Sequence, residues 1–162
     1  MKALLLLCLP LGLLAQMPMD SSTHKFTYTG VVDVPGMTKT DLYVAARSWF
    51  VSEYRSADDV IQMEDKEAGR IIGKGFSLVQ WQMATRYVKH TVQIDLKDGK
   101  YRYIVTDFAV KMNAYLPFES MNSKQYWNIS KLHDETDKDA QQTIQSLKQH
   151  MTKASSTKKD DW

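Results

Sequence analysis

The chain has 162 residues, with 21 Lys and Arg against 19 Asp and Glu and a formal net charge of +2 at pH 7. That near balance excludes the strongly basic footprint of a nucleic-acid binder and gives no reason to expect an anionic membrane partner. One cysteine, Cys8, rules out a disulfide scaffold, so a hydrophobic core must hold the fold, and the length suffices for one domain.

Met1-Lys2 precedes a twelve-residue apolar run from Ala3 to Leu14, followed by Ala15-Gln16. About 20 apolar residues are needed to span a bilayer, so this run suits a signal peptide with cleavage after Ala15. Cys8 is too early in the run, and Leu7 too large, for a lipoprotein anchor. The expected mature chain is cysteine-free, close to +1, and periplasmic or secreted, with no transmembrane segment. Residues 16–25 are polar and aperiodic and read as a flexible leader. Phe26 to Val34 reads as a strand with Phe26, Tyr28, Val32 and Val34 on one face; Gly30 on that face either leaves room for a helix side chain or marks a bulge. Thr38-Lys-Thr-Asp41 is a capping-box variant. The following stretch to Tyr54 has helical spacing, with Leu42, Ala45, Ala46 and Trp49 in one stripe and Tyr43, Phe50 and Tyr54 widening it. Core packing, rather than a ligand box, is the expectation for these aromatics.

Val60 to Gly75 reads as a central hairpin around Asp65-Lys66-Glu67-Ala68-Gly69, with Phe76, Leu78 and Val79 continuing its second strand. Trp81, between Gln80 and Gln82, is either an exposed aromatic of the kind used for carbohydrate or peptide binding or a half-buried strand residue. Tyr87–Leu96 and Lys100–Val110 form a second hairpin on Asp98-Gly99, a type I′ signal. Pairing Lys97 with Lys100 sets Leu96 against Tyr101, Ile94 against Tyr103 and Val92 against Val105, with Asp95 opposite Arg102. Continued without interruption, that register places His90 opposite Asp107, the one titratable pair the sequence assembles. Such a pair can orient a general base. No nucleophile, second carboxylate or metal-ligand spacing accompanies it, so a satisfied cross-strand histidine, or no contact at all past a bulge, is the competing expectation.

Residues 113–134 show no sustained period and read as a long connection, the preferred binding segment, packing Tyr115, Phe118, Tyr126 and Trp127 across the domain. Glu135 to about Lys153 reads as a second helix and residues 154–162 as a polar tail. His24, His133 and His150 lie in polar surroundings without metal-ligand spacing, and neither a metal nor a cofactor is expected.

Phe26-Thr-Tyr-Thr-Gly-Val-Val with Val34-Pro-Gly36, the Leu42-Tyr43…Trp49-Phe50 helix, Val60-Ile-Gln-Met with Gly69-Arg-Ile-Ile-Gly-Lys-Gly75, and Asp98-Gly99-Lys100-Tyr101-Arg102-Tyr103…Thr106-Asp107-Phe108 together resemble the family named domain of unknown function 4468, with a TBP-like fold. The resemblance covers roughly Phe26 to Phe108. It implies export from a Bacteroidetes cell and an α+β fold, a curved antiparallel sheet with helices packed on one face. It implies no activity and carries over no functional residue. The fold name does not bring DNA binding with it, because a single copy of low charge lacks the duplicated basic saddle of a TATA factor.

The expected order is β-α-β-β-β-β-α, in one domain from 26 to 153. The expected function is a non-enzymatic binding or interaction module of the cell envelope, its partner an envelope protein or a small ligand. The candidate surfaces are the exposed sheet face carrying Thr27, Thr29, Arg102 and Thr106, and the aromatics Trp81, Tyr115, Phe118, Tyr126 and Trp127. The alternative is a hydrolase-like enzyme with a site near His90 and Asp107.

Overall fold

The computed structural model describes residues 16–54 and 57–159. The expected signal peptide, residues 1–15, lies outside the described residues. Its elements are β1 (Tyr28–Asp33), α1 (Lys39–Glu53), a single turn α2 (Ala57–Val60), β2 (Ile61–Asp65), β3 (Arg70–Trp81), β4 (Ala84–Lys97), β5 (Lys100–Lys111), β6 (Tyr115–Pro117), a 3₁₀ turn (Phe118–Ser120) and α3 (Ile129–Lys159). The strands make one antiparallel sheet in the order β1-β5-β4-β3-β2, with β6 added to β5. The fold is α+β with both long helices on one face, in the expected order but for the added α2 and β6.

Local chemistry sets the elements. Both halves of the capping box are present, with Asp41 N–H donating to Thr38 Oγ1 at 3.2 Å and Thr38 N–H to Asp41 Oδ2 at 3.0 Å. The α1 stripe buries Leu42, Tyr43, Ala45, Ala46, Trp49 and Phe50, the largest of these stabilising by about 1.5–3 kcal/mol each. Period-2 alternation then fixes the inner face of β3 as Ile71, Gly73, Gly75, Ser77, Val79 and Trp81. The small residues at its centre let α1 descend onto the strand. A Cβ at Gly73 would lie 2.5 Å from Phe50 Cε1, and one at Gly75 would lie 2.6 Å from the Tyr54 hydroxyl and also strike His90 Nε2. The β4–β5 hairpin keeps the expected register from Lys97↔Lys100 to Thr91↔Thr106. Asp95 accepts from Arg102 and from Arg70 of β3, each at 2.6 Å. Burial pushes Asp95 up, but those hydrogen bonds and one from Gln93 outweigh it and hold the carboxyl low.

Four expectations are corrected. The residues read as a flexible leader are ordered: Met17 is buried, Met19 bridges to Phe26, and Asp20 caps its own turn by accepting from Thr23 N–H at 2.7 Å. The space at Gly30 is taken by Tyr103 of β5, whose hydroxyl end occupies the place a Cβ would need, and not by a helix side chain. The long connection is broken up by β6 and the 3₁₀ turn. Finally, α3 starts six residues earlier than expected and runs through residues 154–159 of the supposed tail, about 46 Å in all. Its buried stripe contains Thr136, Asp137 and Thr143 among Leu132, Ala140, Ile144, Leu147 and Met151, and those polar members masked the helical period.

Candidate functional site

The structure does not bring His90 and Asp107 together. After Thr91↔Thr106 the register slips by one residue, so that Lys89 faces Ala109 and Val88 faces Val110. The extra residue is accommodated at Asp107, whose φ of +58° is a left-handed conformation that aspartate tolerates better than most side chains. The bulge turns Asp107 outward to Lys25 Nζ, 2.5 Å away, and moves Phe108 into the core beside His90, with ring centroids 5.8 Å apart. A one-residue slip exchanges the two faces, and here it keeps Phe108 and Val110 inside.

His90 lies between sheet and helices, 3% exposed. Its Nε2 is 3.4 Å from the Tyr54 hydroxyl and its Nδ1 is 3.5 Å from Ser77 Oγ, which itself donates to Asp139 Oδ2 of α3. Burial pushes the imidazole down to about 4, against the smaller upward pull of Asp139. It is therefore neutral at pH 7. Ser77 stands between the histidine and the carboxylate, so the carboxylate does not orient the imidazole toward the hydroxyl as a hydrolytic triad requires.

The candidate aromatics divide. Trp81 and Phe118 are core side chains, 0% and 1% exposed. Trp81 Nε1 donates to the Asn128 carbonyl at 2.9 Å, and Phe118 packs against Phe26, Phe108 and His133. Tyr126 is half-buried against Trp81. Only Tyr115 and Trp127 present their rings to solvent, and they lie on different elements. The sheet positions expected to form a surface are engaged internally at one end: Thr27 and Thr106 hydroxyls meet at 2.9 Å, and Arg102 is held by Asp95.

The other end of the open face is different. Phe76, Leu78, Tyr87 and Tyr115 are all exposed there, at 53%, 62%, 56% and 37%. Leu78 pairs directly with Tyr87 across β3–β4, and the Phe76 and Tyr115 rings are 6.4 Å apart. Lys89 and Lys111 place their ammonium groups 4.5 and 4.9 Å from the Tyr115 ring centroid. At the tip of β3–β4, Gln82 and Met83 occupy a two-residue turn with φ of +51° and +59°, and Met83 is 99% exposed. Gln82 Nε2 donates to the Trp127 carbonyl at 3.1 Å, which places exposed Trp127 beside the tip. Phe76, Leu78 and Met83 were missed as surface residues. Their signal was parity, since Phe76 and Leu78 share a face with Lys74 and Gln80 rather than with Ile71 and Trp81.

Concave features lie elsewhere. A groove of about 650 Å³ runs between α1 and the end of α3, lined by residues including Met37, Val44, Ala45, His150, Lys153 and Ala154. A smaller one, about 250 Å³, sits at the Asp95 end of the open face. Among the described residues no group of three or more His, Cys, Asp or Glu is placed to hold a metal, and no helix is long and apolar enough to cross a membrane.

An open antiparallel sheet with two long helices on one side is the architecture of TBP-like α+β proteins. The chain belongs to the family described as a domain of unknown function (DUF4468) with TBP-like fold, which matches residues 28–111. It is similar to a TBP-like protein from Parabacteroides distasonis ATCC 8503, with a TM-score of 0.67 at 14% identity, over 83% of this chain and 96% of that one. A DUF4468 family protein from Bacteroides ovatus ATCC 8483 also has a TM-score of 0.67, at 15% identity, over 83% and 90%. At these identities the likeness concerns the fold alone. No curated protein matches.

Proposed function

We propose that this protein is an exported, non-enzymatic interaction module of the cell envelope, and that its contact surface is the open sheet face around Phe76, Leu78, Tyr87 and Tyr115. One observation carries this: four large apolar side chains on β3, β4 and β6 sit together on the face that neither helix covers. Scattered single apolar residues on a surface need no explanation, but a contiguous cluster marks a contact site. A hydrolase centred on His90 is disfavoured because the imidazole is sealed under the helices and its supposed partner points outward to Lys25.

The test is photo-crosslinking in the exporting cell, with the reactive side chain placed at position 78 or 87 and, as a control, at exposed position 51 of α1. Discrete adducts, to protein or lipid, from 78 and 87 alone are expected. Equal labelling from position 51, or none from 78 and 87, would remove this surface from consideration.

A further inference from the structure

We infer that the occupant of this face is an anionic lipid surface, with the β3–β4 tip as the part that enters it; this rests on the open face being the contact surface. The first ground is charge segregation hidden by the near-neutral total. From Ile71 to Ile94 there is no Asp or Glu, and the lysines there, Lys74 and Lys89, share the outer parity of their strands, whereas Arg86 falls on the inner side opposite buried Val79; from Phe108 to Phe118 the one charged residue is Lys111. None of the three lysines forms an ion pair among the described residues. The lysines alternate in sequence with Phe76, Leu78, Tyr87 and Tyr115 on the same face, so apolar and cationic groups are presented together.

The second ground is the tip. Met83 is 99% exposed and Trp127 69% exposed, and the hydrogen bond from Gln82 to the Trp127 carbonyl ties that segment to the end of the hairpin. A type I′ turn favours Asn-Gly, yet here Gln82 and Met83 both adopt positive φ. Strained backbone that displays a large apolar side chain at an apex is a marker of function rather than of stability. From Phe76 to the apex is about 20 Å at 3.3 Å per strand residue, so patch and tip form one elongated surface. Tryptophan and tyrosine favour the headgroup level of a bilayer, and lysines beside them meet anionic phosphates.

The same features disfavour other occupants. Two copies docked face to face would oppose lysine to lysine. A small ligand would need a concavity, and the two grooves described lie between α1 and α3 and at the Asp95 end of the sheet, neither lined by Phe76, Leu78, Tyr87 or Tyr115. A nucleic-acid binder draws its affinity from neutralising a run of backbone phosphates, and three surface lysines offer few partners for one.

The test is cosedimentation with phosphatidylcholine vesicles, with and without phosphatidylglycerol. Residues 3–14 are common to every variant, so differences between variants report on the patch. Phosphatidylglycerol is expected to strengthen binding, and that increment should fall with salt and by about fivefold for each of Lys89→Gln and Lys111→Gln. Tryptophan emission should shift to the blue on binding, and Trp127→Phe should abolish that shift. Met83→Gly is the sharper variant, because glycine suits positive φ; it should melt higher than the wild type and bind vesicles more weakly. Val51→Ser should bind as the wild type. Binding to phosphatidylglycerol vesicles that both lysine variants leave unchanged, undiminished binding by Met83→Gly, or lysine-dependent binding to polyglutamate without vesicle binding would overturn the inference. Protein adducts from position 78 without vesicle binding would overturn the lipid assignment and leave the contact surface standing.

Discussion

Acidification from pH 7 to pH 4 should destabilise the wild-type protein more than a variant lacking His90. The imidazole is 3% exposed and is faced by the Tyr54 hydroxyl, Ser77 Oγ and, beyond Ser77, the Asp139 carboxylate. Burial lowers it from an ordinary 6.5 to about 4. Between those values the unfolded chain binds the proton and the folded protein does not, so unfolding takes up a proton and stability falls as pH falls. The contribution of the neutral ring is complete above about pH 6.5 and is lost progressively down to about pH 4. At about 1.4 kcal/mol per pH unit, the loss from this group reaches about 3 kcal/mol. Urea unfolding of wild type and His90→Gln at several pH values reads it as the difference between the two slopes. Carboxylates, His133 and His150 are common to both proteins and cancel. Parallel stability curves, or a wild type that gains on acidification relative to the variant, would refute a neutral buried His90.

Three further outcomes follow from packing and backbone geometry. Gly75→Ala drives a methyl group into His90 Nε2 and the Tyr54 ring and should cost about 1–3 kcal/mol in urea unfolding; an unchanged midpoint would mean that α1 does not approach β3 this closely. Tyr28→Phe removes the hydroxyl that donates at 2.5 Å to buried Asp137 and should cost about 1–3 kcal/mol, whereas an unaffected protein would show the carboxylate satisfied without it. Met83→Gly relieves a left-handed non-glycine residue and should stabilise by about 1 kcal/mol, raising the melting temperature by about 3 °C; a lower melting temperature would contradict the strained turn.

What was legible in the sequence was local. Asp98-Gly99 fixed the hairpin and its register, Thr38 and Asp41 fixed the start of α1, and the 3.6-residue stripe fixed its buried face. The failure at His90 came from carrying one register past a point where the apolar parity changes. Tyr101, Tyr103 and Val105 are odd-numbered and Phe108 and Val110 even-numbered, so one residue between them must be a bulge, and a solvent-facing Asp107 is the natural one. The same parity places Phe76 and Leu78 outside. The limits of α3 were not legible in that way, because Thr136, Asp137 and Thr143 are buried through tertiary partners that no local pattern announces. Met17 was hidden for a related reason, since the core that receives it is built by distant parts of the chain.

The most direct test of the interaction surface is the crosslinking comparison between positions 78 and 51. Adducts from the open sheet face and none from the exposed face of α1 are the outcome predicted here. Comparable adducts from both, or adducts from α1 alone, would contradict it and turn attention to the groove between α1 and α3.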